Sequence, residues 1–448
     1  MFNVILACDE SSGIGVNNTI PWIVAEDVEL FKSLTSNMNG IVKVVIMGYN
    51  TMKSLKNGYL KNRINIVVTS KIIQHENVTF VSNLHEALCC AYSHVGKDPS
   101  RVWIIGGAML YHEAMLHKDI NMIYHSIIPG DYKCDVNFHL PPHTIISSNQ
   151  MKTFKLNIVK LKENCETKYL NLLHETLYSG HRRITRNGTT ISLFGRELVF
   201  DASNSFPLLT TKKMFLKGIV EELLFFIRGE TDTNKLMDNG VNIWKANTSR
   251  EFLDKMNLPY VDGMMGPMYG YQWRFFNKPY NSAETDSHYV DQLKNLVTTL
   301  KQDPHSRRLL MTDFNPAMVN QGVLYPCHSI ILQFYVNDNK LSVKMYQRSA
   351  DLLLGLPFNI ASTTLLLYII AKLVSMEPNM VHVTLGDCHI YEQHIDMVKE
   401  QLGRTPYQLP QLILPEFTTI EQVEQTDHTM YVLKDYICHP AIKAQMIA

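Results

Sequence analysis

Two stretches of this chain carry side chains whose types and spacing are suited to chemistry. Leu324-Tyr325-Pro326-Cys327-His328 sets a thiol beside an imidazole, and Tyr346-Gln347-Arg348-Ser349-Ala350-Asp351 follows. A cysteine next to a histidine is, by itself, an ordinary buried core thiol. A guanidinium brought to the sulfur changes that, because it favours the thiolate, the nucleophilic form. Leu356-Pro357-Phe358-Asn359 adds an amide near a helix start. An amide can donate to one group and accept from its neighbour, as a uracil edge requires, whereas an acid there would suit cytosine. Glu222 stands in Val220-Glu221-Glu222-Leu223-Leu224-Phe225-Phe226. It reads as a solvated helix acid, or else as a lone acid amid apolar side chains that needs a partner or a task.

The other stretch lies near the N-terminus. Asp27 and Phe31 are four residues apart in a helical pattern, so they share a face. Asp27 reads either as a first-turn acid complementing the helix dipole or as a desolvated carboxylate placed to bind or protonate a flat heterocycle. Val102-Trp103-Ile104-Ile105-Gly106-Gly107 is a buried strand ending in two glycines before a helix. Such a corner lets backbone approach a ligand and aims N–H groups at phosphate. A structural turn fits the same residues, and no G-x-G-x-x-G accompanies them.

The elements that must hold these groups change style near residue 165. Before it, strand patterns over 4–7, 42–47, 64–69, 102–105 and 122–128 alternate with helical patterns over 26–33, 84–92 and 108–116. That alternation predicts a mostly parallel sheet covered on both faces, with a closing antiparallel hairpin at 145–147 and 154–161. Residues 162–167 are a short polar hinge that cannot let two domains wander freely. The rest has helical patterns over 169–178, 213–228, 289–302, 361–375 and 391–402. Its strand patterns cover 309–313, 329–336 and 340–346, the last two joined by Asn337-Asp338-Asn339, good hairpin chemistry.

Composition narrows the function classes. The 448 residues carry 42 basic and 42 acidic groups, 15 and 13 of them up to residue 165. Zero net charge argues against broad nucleic-acid or membrane-surface binding. The apolar run 365–371 is broken by Lys372, well short of the ~18 residues a membrane span needs. Eight cysteines form no C-x-x-C pair, and His112-Glu113 is followed by His117, one residue too late for a zinc helix, so no metal is expected. The start, Met1-Phe2-Asn3-Val4-Ile5-Leu6, has no basic lead and reads as a first strand, so a reducing cytoplasm is expected.

Over roughly residues 2–162 the chain resembles dihydrofolate reductases. The resemblance is carried in order by Gly15-Val16-Asn17-Asn18, Pro21-Trp22, Asp27 with Phe31, Met47-Gly48-x-x-Thr51, Arg63 before a strand, Ile105-Gly106-Gly107 and Tyr111. It implies hydride transfer from NADPH to dihydrofolate. Asp27 would hold the pterin's amino edge and help deliver a proton, with Ser126 where the family usually has a supporting threonine. Phe31 would pack on the pterin and Arg63 would pair with the glutamate carboxylate. Ala7, Ile14, Gly15, Gly48, Thr51, Ser70, Lys71, Gly106, Gly107 and Tyr111 would line the dinucleotide site. Tyr49 stands where many members carry Arg or Lys, so the grip on the 2′-phosphate would lean on Thr51, Ser70 and Lys71.

Across roughly residues 168–448 the chain resembles thymidylate synthases, through Pro326-Cys327-His328, Gln347-Arg348-Ser349-x-Asp351, Gly355-x-Pro357-Phe358-Asn359-Ile360-Ala361-Ser362 and Gly386-Asp387-x-His389-x-Tyr391. The implied reaction methylates dUMP with 5,10-methylenetetrahydrofolate as cosubstrate and releases dihydrofolate, the substrate of the first half. Cys327 would attack the ring and Glu222 would organise proton transfers. Asn359 would read the base, with His328 and Gln347 beside it. His389 and Tyr391 would hold the ribose, and Arg348, Ser349 and Arg186 the phosphate, Arg183 being the alternative to Arg186. Trp244, Asn247, Asp351 and Phe358 would contact the folate. Arg307 and Arg308 would reach across a homodimer to the neighbour's phosphate, and the apolar tail 445–448 would act as a lid.

The expectation is an α/β dihydrofolate-reductase-like domain over 1–163, a mostly parallel twisted sheet with an antiparallel edge. A linker at 164–167 leads to an α+β thymidylate-synthase-like domain over 168–448. Three rivals stay open: a pyrimidine nucleotide hydroxymethylase with a supporting reductase-like domain, a degenerate first half, and a nucleic-acid-binding protein on an enzyme scaffold.

Overall fold

The computed structural model describes all residues except 39, 118, 163, 281–287 and 448. It divides into two compact units, Met1–Thr167 with Leu402–Tyr407, and Lys168–Gln401 with Gln408–Ala448.

The first unit runs β1 (Phe2–Asp9), β2 (Gly13–Gly15), α1 (Ala25–Thr35), β3 (Val44–Gly48), α2 (Tyr49–Ser54), β4 (Ile64–Val68), β5 (Thr79–Val81), α3 (Leu84–Val95), β6 (Val102–Ile104), α4 (Ala108–Leu116), β7 (Ile120–Ile128), β8 (Val136–Asn137), β9 (His143–Gln150) and β10 (Lys155–Leu161). Eight strands form one sheet in the order β5-β4-β3-β6-β1-β7-β10-β9. The first six are parallel, while β7, β10 and β9 pair antiparallel and close the edge. The strands β3 and β6 read as continuous apolar runs, and β1 and β4 nearly so apart from the buried Asn3, Asp9 and Asn65, because both sheet faces are buried, one under each of two apolar clusters. β6 ends at Ile104 opposite Ile46, and β3 runs on to Gly48 opposite Val68 of β4. In sheets of this type the crevice beyond the carboxyl ends of the strands is where ligands sit.

The second unit runs α5 (Cys165–Ser179), β11 (His181–Thr185), β12 (Gly188–Asp201), α6 (Leu216–Ile227), α7 (Asn234–Asp238), α8 (Arg250–Lys255), α9 (Gly270–Arg274), α10 (Gln292–Gln302), β13 (Leu310–Met311), β14 (Ile331–Asn337), β15 (Lys340–Asp351), α11 (Gly355–Leu373), β16 (Glu377–Tyr391), α12 (Ile395–Leu402), β17 (Gln411–Ile413), α13 (Ile420–Glu424) and β18 (Val432–Lys434). Six strands form a sheet in the order β11-β12-β16-β15-β14-β13. β15 and β16 are parallel, which requires a crossover, and α11 supplies it. Fourteen of the nineteen residues of α11 are buried. By length and composition α11 is apolar enough to cross a membrane, which the run 365–371 alone did not suggest. Here it is a core helix packed on β15, β16 and α6. Trimming one of its buried leucines to alanine would cost about 2–5 kcal/mol.

Four local expectations need correction. The strand expected over 340–346 continues to Asp351, so Gln347, Arg348 and Ser349 are strand residues, fixed by pairing to β16. The helix expected over 391–402 begins at Ile395, and Tyr391 ends a fifteen-residue strand instead. The strand expected over 309–313 is only Leu310–Met311. The expected hinge is not all loop, since α5 starts at Cys165; Glu163 within it lies outside the described residues.

Candidate active sites

In the first unit α1 has no side-chain cap, and two acids, Glu26 and Asp27, fill its first turn. Adjacent helix positions point about 100° apart, and here they part company. Glu26 turns outward and accepts from the Thr153 backbone N–H and hydroxyl at 2.9 and 2.8 Å. Asp27 turns inward. Burial pushes its carboxyl above the usual carboxylate range, and a hydrogen bond from Ser126 on β7 works the other way. Arg63 closes the same region: it donates to Thr35 Oγ1 at 2.5 Å and Ser36 Oγ at 2.7 Å, and lies 5.6 Å from the Phe31 ring. One face and end of α1 therefore assemble an acid, an aromatic ring and a guanidinium.

The glycine corner lies beyond β3 and β6. Gly48 N–H donates to the Gly106 carbonyl at 2.7 Å, and the Gly106–Gly107 peptide is cis. Gly106 has φ +114, and a Cβ on it would come within 3.1 Å of the Tyr111 hydroxyl; one on Gly107 would come within 3.3 Å of Thr51 Oγ1. Tyr111 in turn donates to the Ile5 carbonyl at 2.8 Å. Helices α2 and α4 start here with no side-chain cap, leaving N–H groups for another acceptor. Ala7 pairs with Ser126 between β1 and β7. Ile14 and Gly15 lie apart from the main sheet, on the small β2–β8 ribbon. Ser70 and Lys71 are exposed after β4. The ring of Tyr49 is flanked by Lys53 and Lys71, whose ammonium groups lie 5.2 and 4.9 Å from its centre.

In the second unit Cys327 lies in the loop before β14. Its Sγ is 3.5 Å from the Tyr269 hydroxyl, and its carbonyl accepts from Arg348 N–H at 2.8 Å. Arg348 donates to the Pro326 and Tyr325 carbonyls, each at 3.2 Å, and its Cζ lies 5.0 Å from the Tyr325 ring. The expectation that this guanidinium leaves the thiol ionised at rest is corrected. Burial pushes the thiol above its ordinary value, and the Tyr269 hydrogen bond and the Arg348 charge only offset part of that. Tyr269 lies near-parallel to both Phe226 (5.0 Å, 17°) and His328 (4.6 Å, 23°), whose own ring centres are 6.4 Å apart. Burial pushes His328 down to about 4, so the ring is neutral at pH 7.

The two acids of α6 also divide. Glu221 is buried and accepts from the backbone N–H and Nδ1 of His428, at 3.0 and 2.7 Å. Glu222 accepts from Trp244 Nε1 at 2.8 Å. Burial pushes Glu222 up to about 7, against the Trp244 hydrogen bond. A carboxyl near half-protonation at neutral pH is suited to passing protons.

The parallel pair β15 and β16 sets Ser349 opposite Asp387 and Asp351 opposite His389, while β12 brings Ser192 opposite His389. His389 Nδ1 lies 2.9 Å from Asp387 Oδ1, and its ring meets Tyr391 edge-on at 5.1 Å. Arg183 is occupied by Asp387, at 2.7 Å. Arg186 lies in the turn between β11 and β12, where its charge acts on Tyr391 and Asn187 hydrogen-bonds the Tyr391 hydroxyl. Asp351 accepts from the Leu353 and Leu354 N–H groups at 2.9 and 3.1 Å, pinning the entry to α11. Asn359 and Phe358 are half-buried in the first turns of α11. Gln347 is buried, donating to the Ser349 carbonyl at 3.0 Å. Trp244 meets Tyr269 edge-on at 5.8 Å, and Asn247 is buried nearby in sequence. Arg307 and Arg308 are not brought to this cluster by any contact among the described residues; both are exposed on the turn before β13, without an ion pair there. The tail is tied down by His394 Nε2, which donates to the Gln445 carbonyl at 2.9 Å; Ala448 lies outside the described residues.

Sequence reasoning missed Tyr269, the hydroxyl nearest the thiol. Its signal was Gly266-Pro267-Met268-Tyr269-Gly270, turn chemistry between aromatic residues. Tyr269 is held at φ +46, a conformation non-glycine residues rarely adopt, and a Cβ on Gly270 would collide with the Phe226 backbone. It also gave no role to Asp387, described below.

Comparison with known proteins agrees with this division. A family model described as dihydrofolate reductase matches residues 1–162, and one described as thymidylate synthase matches residues 167–448. Proteins named bifunctional dihydrofolate reductase-thymidylate synthase are similar over nearly the whole chain. The one from Leishmania major is 37% identical, covering 99% of this chain and 95% of its own. Those from Paramecium tetraurelia and Zea mays are 34% and 32% identical, each covering 99% of this chain, with 98% and 96% of their own lengths matched.

Proposed function

The chain belongs to the bifunctional dihydrofolate reductase–thymidylate synthases, and from that premise we propose which residues run each reaction. It makes dTMP from dUMP and reduces the dihydrofolate so formed, using folates and NADPH. The hydroxymethylase alternative finds no support. The observation that carries the assignment of roles is the pairing of Cys327 with Tyr269 beside Arg348, in the unit where β15 and β16 set Ser349 opposite Asp387 and Asp351 opposite His389.

In the reductase unit Asp27, supported by Ser126, holds the amino edge of the pterin and helps supply the proton that reduction consumes. Phe31 packs on the ring, and Arg63, with its Nη atoms already aligned by Thr35 and Ser36, takes the glutamate carboxylate. Bound NADPH supplies the hydride. The glycine corner fits a dinucleotide, because any Cβ at Gly106 or Gly107 would fill space against Tyr111 or Thr51. Gly48, Thr51, Ala7, Ile14 and Gly15 line the rest. Lys71, Ser70 and Lys53 hold the 2′-phosphate around Tyr49, in place of the basic residue many members have there.

In the synthase unit Cys327 gives up its proton in the dUMP complex and its sulfur bonds to carbon 6 of the ring, which makes carbon 5 nucleophilic toward the one-carbon unit. Carbon 5 then loses its proton, hydride from the same folate turns the one-carbon unit into the methyl group and leaves dihydrofolate, and the sulfur departs with that step. Arg348, with Arg186 and Ser349, holds the phosphate; Asn359 reads the base, flanked by His328 and Gln347; His389 and Tyr391 take the ribose. Trp244, Asn247, Asp351 and Phe358 face the folate. Glu222 moves protons, and Trp244 keeps part of its ionisation. Trp244→Phe is expected to raise the Glu222 midpoint above about 7 and move the acid limb of dTMP formation upward, by about one unit. A pH–rate profile checks this, and an unmoved limb counts against Glu222.

The unit works as a homodimer. α11 covers one face of its sheet, and Leu310, Ile331 and Tyr335 lie exposed on strands of that sheet. Arg307 and Arg308 then complete the neighbour's phosphate site. Mixing Cys327→Ser with Arg307→Ala chains should give activity above the mean of the two parents, since each mixed dimer regains one complete site. Activity that stays at the mean after subunit exchange removes the shared site. A coupled assay with dUMP, methylenetetrahydrofolate and NADPH, following dTMP and tetrahydrofolate separately, tests the whole reading.

A further inference from the structure

Strand β16 places Asp387, His389 and Tyr391 at every second position, so their side chains share one face of the sheet. His389 Nδ1 lies 2.9 Å from Asp387 Oδ1, and Arg183 Nη1 donates to Asp387 Oδ2 at 2.7 Å. Arg183 reaches there from β11, across β12, because the pairing sets Arg183 opposite Thr190 and Thr190 opposite Tyr391. Both oxygens of Asp387 are thereby engaged. The His389 hydrogen bond, with smaller help from the Arg183 charge, holds the Asp387 carboxyl below the usual carboxylate range. An ionised carboxylate only accepts, so the hydrogen between the two groups belongs to His389 Nδ1. A neutral ring in that form carries its lone pair on Nε2. Nε2 has no hydrogen-bond partner among the described residues, and the side chain keeps 11% exposure. Tyr391, whose ring meets His389 edge-on at 5.1 Å, offers the opposite chemistry. Asn187 donates to its hydroxyl oxygen, which leaves the phenol hydrogen to be given elsewhere.

We propose that Asp387 is a positioning residue for the sugar end of the nucleotide: it fixes the His389 ring with the hydrogen on Nδ1, so that Nε2 accepts from the ribose 3′-hydroxyl while Tyr391 donates to the same oxygen. This rests on His389 and Tyr391 taking the ribose. Arg183 holds the second oxygen of Asp387 and is thereby withdrawn from the phosphate. dUMP has one free sugar hydroxyl, at carbon 3′, since carbon 5′ carries the phosphate and carbon 2′ has no hydroxyl. A hydroxyl gives one hydrogen bond and receives others, so an acceptor beside a donor reads it fully. That is the pair β16 presents where it ends at Tyr391. Without Asp387 the imidazole is free to turn or to carry its hydrogen on Nε2. Two donors would then face the sugar oxygen, and the hydroxyl hydrogen would be left without an acceptor.

The test compares two nucleotides on the full chain: dUMP, and 2′,3′-dideoxyuridine 5′-monophosphate, which lacks only the 3′-hydroxyl. The Kd of each is read by calorimetry without folate. The unaltered protein is expected to bind dUMP about tenfold more tightly, the worth of one well-made hydrogen bond. In Asp387→Asn, whose amide hydrogens can face Nδ1 and move the ring hydrogen to Nε2, the ratio should fall to about one through weaker dUMP binding, with the dideoxy nucleotide unchanged. Asp387→Ala, which removes the acceptor outright, should act the same way and serves if the amide variant does not fold. Arg183→Gln should cost about twofold, for dUMP alone, because its ion pair is largely exposed. Equal losses for both nucleotides in that variant would return Arg183 to the phosphate and overturn its part. A ratio still at about ten in the Asp387 variants, with or without an equal loss for both nucleotides, overturns the proposal. A ratio of about one in the unaltered protein would instead sink the ribose reading itself, whatever the Asp387 variants do.

Discussion

Cys327→Ser should cut dTMP formation by on the order of 10⁴-fold or more, while NADPH oxidation with dihydrofolate stays at the wild-type rate. Serine keeps the loop and its contacts, since Arg348 N–H bonds the residue 327 carbonyl and not its side chain. What is lost is a sulfur that can ionise. A hydroxyl in the same buried place, beside the Tyr269 hydroxyl, has no base strong enough to strip it, and Glu222 near neutrality is not one. The two activities are read on the same preparation, so the unchanged reductase rate serves as the folding control. Synthase turnover above about a hundredth of wild type would remove Cys327 from the reaction.

Asp27→Asn should cost the reductase on the order of 10²–10³-fold at pH 7 and above, with the deficit shrinking toward acid. The sign follows from the environment. Burial favours the protonated carboxyl, so wild-type Asp27 holds a proton further up the pH scale than an exposed aspartate would. The amide keeps the shape and much of the polar contact with Ser126 but carries no exchangeable acid proton. At low pH the solvent supplies the proton and the variant is partly rescued. A variant that tracks wild type across the whole profile would take Asp27 out of the proton path. Synthase activity should be unaffected.

Much of this was legible from local pattern. The alternation of strands and helices in the first half, the closing hairpin and the Gly106–Gly107 corner all follow from period and turn chemistry acting over a few residues. The same holds for Asp27 with Phe31. What the pattern did not show depends on contacts distant in the chain. Tyr269 lies 58 residues from Cys327 in sequence. The extension of β15 through Asp351 is imposed by pairing with β16, and nothing in Gln347-Arg348-Ser349 announces a strand. The ionisation of Cys327 was misjudged for a related reason. A neighbouring arginine is visible in the sequence, but the desolvation that outweighs it exists only after folding. Glu26 with Asp27 and Glu221 with Glu222 make the same point: adjacent acids look equivalent in sequence, and the helix turn alone decides which one meets solvent or a structural histidine and which one is left for chemistry.

Helix α11 does two jobs at once, since the rod that fills the centre of the second unit also carries Phe358 and Asn359 in its opening turns. On the role proposed for Asn359, discrimination between pyrimidines is thus tied to a largely buried helix of that unit. Substitutions that loosen α11 are therefore expected to lower stability and base preference together, and a ligand held at Asn359 to raise the stability of the unit.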